Sequence, residues 1–141
     1  MYMKILILGY KGMLGSDLAQ VFRDFDPVLI ERENMDIVNR AEVVKVFNEQ
    51  KPAVAINATG YTDVGGAEHN EELAMAVNEA GVKNLAQACE NVGASLVHFS
   101  TDYVFDGSKE EGFAEMDKRS PINTYGKSKA LGEEAIEEVM K

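Results

Sequence analysis

The strongest constraint on the fold is a short apolar segment that runs directly into a row of evenly spaced glycines. Residues 4–8 are apolar from Ile5 onward, and Gly9, Gly12 and Gly15 follow with the spacing G-x-x-G-x-x-G. A strand without polar alternation is typical of a sheet that is covered on both faces. The segment therefore predicts a buried strand and a glycine turn. A helix should follow, because apolar residues then recur at helical spacing: Leu14, Leu18, Val21, Phe22 and Phe25.

The rest of the chain continues the alternation of strands and helices. Further strands are predicted at 28–30, 53–57 and 96–100, and further helices at 40–50, 71–92 and 124–140, the second of them with a break near Gly81. Residues 58–70, with three glycines, are predicted as a loop. This order favours an α/β fold, a Rossmann-type doubly wound parallel sheet with right-handed crossovers.

The composition limits the possible partners and the cellular location of the protein. The 141 residues carry a net charge of −10, which disfavours nucleic acid or an anionic membrane as a partner. The one cysteine, Cys89, has no partner for an internal disulfide, and this fits a cytoplasmic location. His69 and His98 have no neighbour at ligand spacing, so no metal site is expected. The acidic cluster at 133–138 is interpreted as a solvated helix face.

The glycine turn suggests a dinucleotide site. Gly9 permits a tight turn, Gly12 allows close approach of a diphosphate, and Gly15 lets the helix pack closely. The N–H groups at the helix start can then bind the diphosphate. Glu31 and Arg32 follow the second strand, where a carboxylate would bind the adenosine 2′-hydroxyl and a guanidinium would bind a 2′-phosphate. The sequence therefore leaves NADH and NADPH open as cofactors.

A candidate catalytic set lies in the second half of the chain. Tyr125 and Lys129 are four residues apart on a predicted helix and share one face. A nearby ammonium stabilises phenolate and lowers the tyrosine pKa, which suits proton donation to a carbonyl. Ser100 and Thr101 end the fourth predicted strand, and a hydroxyl there can polarise the same carbonyl. The order of these motifs predicts a carbonyl reductase.

Four segments give the chain a specific family resemblance. They are Gly9-Tyr-Lys-Gly-Met-Leu-Gly15, the run from Pro52 to Glu68 with Asn57-Ala-Thr-Gly-Tyr-Thr62, Ser100-Thr-Asp-Tyr-Val-Phe-Asp-Gly107, and Pro121-Ile-Asn-Thr-Tyr-Gly-Lys-Ser-Lys129. With these motifs the chain resembles the N-terminal part of extended short-chain dehydrogenases/reductases of the dTDP-4-dehydrorhamnose reductase family.

The resemblance implies roles for individual residues. Thr101 would hydrogen-bond the substrate carbonyl, Tyr125 would donate the proton, and Lys129 would tune Tyr125 and anchor the nicotinamide ribose. The implied reaction is the NAD(P)H-dependent reduction of dTDP-4-dehydro-L-rhamnose to dTDP-L-rhamnose. The substrate would contact Val64, Asp102 and Tyr103 as well as Thr101 and Tyr125. Beside Lys129, the cofactor would contact Gly9, Gly12, Met13, Leu14, Gly15, Glu31, Arg32, Asp36, Ile37, Ala58, Gly60, Tyr61 and Thr62.

Two departures from the family pattern leave alternatives open. Gly65 and Gly66 stand where the family usually has Asp and often Lys, and the family continues into further strands and a C-terminal substrate region that these 141 residues do not contain. We therefore expect residues 1–141 to form an incomplete NAD(P)-binding domain, with an exposed fourth strand that favours a homodimer or aggregation. The alternatives are a non-catalytic NAD(P)-binding module or regulatory subunit, and a related nucleotide-sugar epimerase or dehydratase.

Overall fold

The computed structural model describes residues 3–140, which form a parallel sheet flanked by helices. Its strands are β1 (Ile5–Leu8), β2 (Val28–Ile30), β3 (Val54–Asn57) and β4 (Ser95–His98). All neighbouring strands are parallel, and their order in the sheet is β2-β1-β3-β4. The predicted α/β class and the parallel sheet are confirmed. Strand order reverses between β1 and β3, and in such sheets this is the place where ligands bind.

The helices occupy the segments between and after the strands. They are α1 (Met13–Val21), α2 (Arg40–Gln50), α3 (Val64–His69), α4 (Glu71–Met75), α5 (Val82–Val92) and α6 (Thr124–Val139). A π-helical segment, Ala76–Gly81, joins α4 to α5, and short 3₁₀ turns lie at Arg23–Phe25 and Asp102–Val104.

Helix α1 is shorter than its apolar spacing predicts. Leu18 and Phe22 pack against Ile5, Ile7 and Ile56 on one face of the sheet. The α-helix ends at Val21, however, and the chain continues as a 3₁₀ turn with a different period. Phe25 in this turn is exposed, as are Leu14 and Val21 within α1, so the predicted apolar stripe is wrong at these three residues.

The glycine-containing stretch before α4 is helical in part, so the prediction of a loop over 58–70 is wrong at α3. The Asp63 side chain caps this helix by accepting a hydrogen bond from the Gly66 N–H at 2.8 Å. A Cβ at Gly66 would lie 2.3 Å from the Asp63 carboxylate, so the glycine makes room for its own cap. A strong N-cap here outweighs the low helix propensity of two glycines.

The next two differences concern element boundaries. The helix predicted over 71–92 is not broken near Gly81 but widens into the π-helical segment that ends there. Strand β4 ends at His98 rather than at Ser100, so Ser100 and Thr101 lie beyond the sheet. Both hydroxyl residues are thus in the loop at its carboxyl end.

Both faces of the central strands are buried. Leu6 and Leu8 contact a core that contains Phe47 of α2 and Leu85 of α5, while Ile5 and Ile7 point to the opposite side. Cys89 lies in the first core, and burial raises the pKa of its thiol to about 12. Strand β4 is different, because Val97 remains 43% exposed. None of the helices within residues 3–140 is long and apolar enough to cross a membrane.

Candidate active site

A cavity of about 370 Å³ opens at the carboxyl ends of β1, β2 and β3, at the point where strand order reverses. Nine of the predicted cofactor residues line it: Gly9, Gly12, Glu31, Arg32, Asp36, Ile37, Ala58, Gly60 and Tyr61. Sequence reasoning missed six other lining residues, namely Leu8, Ile30, Met35, Thr59, Leu73 and Val77. The spacing of Leu73 and Val77 on one face of a helical segment was a usable signal for those two.

The glycine turn is tightly constrained. Gly9 has a positive φ of 79°, and its N–H donates to the Ile30 carbonyl at 2.8 Å. A Cβ at Gly15 would lie 1.9 Å from the Gly9 carbonyl oxygen, so only glycine fits where α1 crosses the turn. Gly12 precedes the helix, and no side chain caps the N–H groups of the first turn of α1. These groups suit a diphosphate.

Glu31 and Arg32 differ in their surroundings, although they are neighbours after β2. Glu31 Oε1 accepts a hydrogen bond from the backbone N–H of Lys11 at 2.5 Å, which ties the end of β2 to the glycine turn. The Arg32 side chain is 79% exposed and pairs with Asp36, with 3.1 Å between Nε and Oδ2. The Asp36 side chain also accepts from the Val38 N–H at 3.0 Å. Asp36 thus combines a turn role with a place in the cavity wall.

The segment after β3 is held by Asn78 of the π-helical segment. The Asn78 side chain is 1% exposed, and it bonds both backbone groups of Tyr61: the Tyr61 N–H donates to Oδ1 at 2.9 Å, and Nδ2 donates to the Tyr61 carbonyl at 3.0 Å. Nδ2 also donates to Ser128 Oγ of α6 at 2.9 Å. Sequence reasoning missed Asn78, because it had no local signal.

Lys129 lies in a second cluster beside the end of β4. Its side chain is buried, with Nζ donating to the Phe99 carbonyl at 2.5 Å and lying 3.5 Å from His98 Nε2. Burial lowers the pKa of Lys129, and the carboxylate of Glu133 opposes this shift. Burial, and then the charge of Lys129, lower the pKa of His98 to about 4.

Tyr125 begins the same helix and packs against the turn that follows Thr101. Its ring meets the Tyr103 ring edge to face, with centroids 5.6 Å apart. A Cβ at Gly126 would lie 2.1 Å from the Tyr103 carbonyl oxygen, so this glycine allows the start of α6 to touch the turn. Thr101 Oγ1 accepts from the Tyr103 N–H at 3.3 Å and caps the turn.

The predicted residues therefore fall into two neighbouring groups. One group lies where the loop after β4 packs on α6: Tyr125 contacts Tyr103, and Lys129 bonds the Phe99 carbonyl. Thr101 and Asp102 belong to the same loop. The remaining predicted residues, Met13, Leu14, Gly15, Thr62 and Val64, do not line the cavity, and neither does Lys129. Asn78 connects the two groups through Tyr61 and Ser128.

The fold and these motifs define a Rossmann-type domain of the short-chain dehydrogenase/reductase class. Three features support this class. They are the order of the strands, the glycine turn at the point where that order reverses, and the Tyr125–Lys129 pair on α6. The chain belongs to the RmlD substrate binding domain family, whose model matches residues 3–141. The resemblance stated from the sequence motifs is confirmed.

Individual relatives support this membership. The chain is 41% identical over 133 residues to a dTDP-4-keto-6-deoxy-D-glucose reductase of Streptomyces niveus, covering 93% of this chain and 46% of that protein. It is 40% identical over 137 residues to a dTDP-4-dehydrorhamnose reductase of Burkholderia thailandensis, covering 96% of this chain and 46% of that protein. The chain thus spans about half the length of the curated relatives it matches.

A solved structure gives the same result in three dimensions. The dTDP-4-dehydrorhamnose reductase of Bacillus anthracis, described as a complex with NADP, superposes with a TM-score of 0.97 at 37% identity. The match covers 100% of this chain and 51% of that one. A Clostridium acetobutylicum protein described as a dTDP-4-dehydrorhamnose reductase gives a TM-score of 0.92 at 41% identity, covering 97% and 50% of the two chains.

Proposed function

We propose that residues 1–141 are the NAD(P)-binding domain of a reductase that converts dTDP-4-dehydro-L-rhamnose to dTDP-L-rhamnose. The observation that carries the proposal is the meeting of the β4 loop with α6, which puts Thr101, Tyr103, Tyr125 and Lys129 next to the end of the sheet. The names of the reductases at about 40% identity supply the sugar nucleotide.

The residues of the cavity fit a dinucleotide. The uncapped start of α1 offers N–H groups to the diphosphate, and the turn has no room for side chains at Gly15. The pocket beside Glu31, Asp36 and Ile37 would hold the adenosine. When bound, the reduced nicotinamide supplies a hydride to C4 of the sugar.

The chain's own residues would handle the carbonyl oxygen. The Thr101 hydroxyl donates a hydrogen bond to it, and Tyr125 transfers its phenolic proton to it while C4 accepts the hydride and its electron pair. The Lys129 ammonium stabilises the resulting phenolate, which regains a proton from solvent. The ketone would thereby become an alcohol.

A decrease in absorbance of the reduced nicotinamide tests the proposal directly. NADPH and the 4-keto sugar nucleotide are mixed with the chain, or with a longer protein that contains it. We expect Tyr125→Phe to lower turnover by roughly 10²–10⁴-fold while cofactor affinity stays the same. Full turnover by Tyr125→Phe would contradict the assigned proton donor.

The main rival is a module that binds NAD(P) without turnover. Calorimetric uptake of NADPH without oxidation in the presence of the keto sugar would favour it. A dehydratase or epimerase is less well supported, because Tyr103 stands where dehydratases normally place a glutamate base.

Cofactor preference depends on Glu31 and Arg32. The Glu31 carboxylate is engaged by the Lys11 N–H, while the Arg32 guanidinium extends into solvent at the rim of the cavity. If Arg32 binds a 2′-phosphate, Arg32→Gln weakens NADPH and leaves NADH unchanged, whereas Arg23→Gln, remote from the cavity, changes neither. Equal affinities of Arg32→Gln and the parent chain for NADPH would favour NADH as the natural cofactor.

The proposal also includes a cytoplasmic location and a homodimer. The buried free thiol of Cys89 fits the reducing cytoplasm. Among the described residues, β4 pairs with β3 alone, and Val97 in this strand and Phe99 just after it are exposed, a combination that favours association with a second copy. Light scattering after size-exclusion chromatography of the 141-residue chain would show a dimer. A clean monomer would contradict this.

A further inference from the structure

A chain of polar side chains runs from the cavity wall to Lys129. Thr59 lines the cavity, and its Oγ1 donates to Asn57 Oδ1 at 2.6 Å. Asn57 Nδ2 lies 3.0 Å from His98 Nδ1, and His98 Nε2 lies 3.5 Å from Lys129 Nζ. Asn57 is 1% exposed, so water does not compete for its amide.

The orientation of the Asn57 amide is set by the backbone. The Thr59 N–H lies 3.0 Å from Oδ1, and a backbone N–H can only donate. Rotating the amide by 180° would place its NH₂ against that N–H, two donors facing each other. The network therefore assigns Oδ1 to Thr59 and Nδ2 to His98, an assignment made by hydrogen-bond logic.

This orientation determines where the imidazole carries its proton. Asn57 Nδ2 is a donor, so the facing His98 Nδ1 must accept and carries no proton. The lowered pKa of His98, about 4, keeps the ring neutral at pH 7. A neutral ring without a proton on Nδ1 has it on Nε2, and that N–H points toward Lys129 Nζ.

We propose that His98 is a positioning residue that directs the Lys129 amine and destabilises its ammonium form. A ring N–H repels the N–H groups of an ammonium, whereas it can donate to the lone pair of a neutral amine. The proton-bearing face of His98 therefore turns the Nζ donors away from the ring and toward groups such as the Phe99 carbonyl. Any effect of this contact on catalysis depends on the proposed function of Lys129. The effect on the lysine amine itself does not.

Other groups around Lys129 act in both directions. The Phe99 carbonyl and the Glu133 carboxylate favour the ammonium, while burial opposes it. The proposed effect of His98 adds to that of burial. Glu133 is already shared, because it accepts from Arg119 at 2.8 Å and from the Ser100 hydroxyl. Other titratable groups at this end of α6 are Asp102 and Tyr103 on the adjoining turn, Tyr125 and Lys127 on the helix itself, Glu68, which accepts from the Thr124 N–H, and Glu71, which pairs with Lys127. The net effect is a lowered pKa of Lys129.

Nuclear magnetic resonance of the unmodified chain tests the first step without any ligand. Long-range ¹H–¹⁵N correlation spectra distinguish the two neutral imidazole tautomers. We expect His98 as the Nε2–H tautomer at pH 7, and a proton on Nδ1 would overturn the proposal. His69 is the internal comparison, because its Nδ1 lies 3.1 Å from the Gly65 carbonyl, an acceptor, and it should carry its proton on Nδ1.

Titration of Lys129 tests the second step. With lysine side chains labelled at Cε, His98→Phe should raise the Lys129 pKa by about one unit, a tenfold change in the dissociation constant. His69→Phe should leave it unchanged. An unmoved Lys129 titration in folded His98→Phe would overturn the proposal. Since neither measurement uses cofactor or sugar, they can succeed even if the proposed reaction is wrong.

Discussion

Asn78 and Ser128 are joined by a hydrogen bond of 2.9 Å between Nδ2 and Oγ, although 50 residues of sequence separate them. Ser128 in turn donates to the Tyr125 carbonyl at 2.7 Å. The bond fixes the position of α6 relative to the loop after β3, because the same Asn78 amide holds both backbone groups of Tyr61.

Replacement of Asn78 should therefore be costly. Asn78→Leu keeps the volume but leaves Tyr61 N–H, Tyr61 C=O and Ser128 Oγ without this partner. Unpaired buried groups of this kind cost about 1–3 kcal/mol each, so the loss of all three predicts a stability lower by about 3 kcal/mol or more in urea unfolding. Asn91→Leu, on the exposed side of α5, is the matched control and should unfold at the parent midpoint. Parent-like stability of Asn78→Leu would mean that the three groups find other partners.

Two glycines should respond to alanine with opposite signs. A Cβ at Gly15 would lie 1.9 Å from the Gly9 carbonyl oxygen, so Gly15→Ala forces the turn apart. We expect a loss of roughly 1–3 kcal/mol and weaker NADPH binding by calorimetry. In Gly65→Ala the new methyl lies 3.9 Å from the nearest Asp63 oxygen, within helix α3, and should stabilise the protein by up to about 1 kcal/mol.

Stability should depend on pH through His98. Its pKa falls from 6.5 in the unfolded chain to about 4 in the folded one, so the unfolded state binds more protons between these values. Stability is then fully present above pH 6.5 and is lost as the pH falls toward 4, by on the order of 3 kcal/mol. We expect the difference in unfolding free energy between pH 7 and pH 4.5 to be smaller in His98→Phe than in the parent.

Protonation of carboxylates also lowers the stability at acid pH. This contribution is the same in the parent and in the histidine variants, so it cancels when they are compared. His69→Phe should retain the pH dependence of the parent chain, since this imidazole lies on the surface of α3. An identical dependence in His98→Phe and the parent would show that the buried imidazole becomes charged without penalty.

Arg119 should prove more important than an ordinary surface arginine. Its guanidinium binds Glu137 through two hydrogen bonds, 2.9 and 2.7 Å, and Glu133 at 2.8 Å. The expectation of a solvated acidic face on α6 is therefore wrong at Glu133, whose side chain is only 24% exposed, whereas the Glu137 side chain pairs with Arg119 while remaining 64% exposed. Arg119→Gln should cost roughly 1–2 kcal/mol in urea unfolding, and Arg119→Lys should restore only part, because lysine cannot form the paired contact.

The control for this change is Arg23→Gln. The Arg23 pair with Asp24 is exposed and 3.5 Å long, so its loss should not be measurable. High salt should reduce the difference between Arg119→Gln and the parent chain. A difference that persists unchanged at high salt would assign the effect to packing of the side chain.

Sequence patterns within a few residues predicted the strands of the sheet. Most of the features that the sequence did not predict depend on contacts between residues far apart in the chain. The apolar run ending at Gly9 and the Tyr125 to Lys129 spacing are readable because each pattern lies within a few residues. Helix α3 was missed because its cap, Asp63, outweighs two glycines. Asn78 and His98 bond partners 17 to 50 residues away, and no periodicity records such pairs.

The position of β1 in the middle of the sheet also affects how the chain folds. Ile5 of β1 pairs with Val54 of β3, while β2, which is nearer in sequence, takes the other side. The hydrogen bonds between β1 and β3 can therefore form only after residues 9–53 have brought β3 back to β1. Such non-local pairing slows folding. We expect the closing of β1 against β3 to limit the folding rate, with β1 exposed on one edge until it happens.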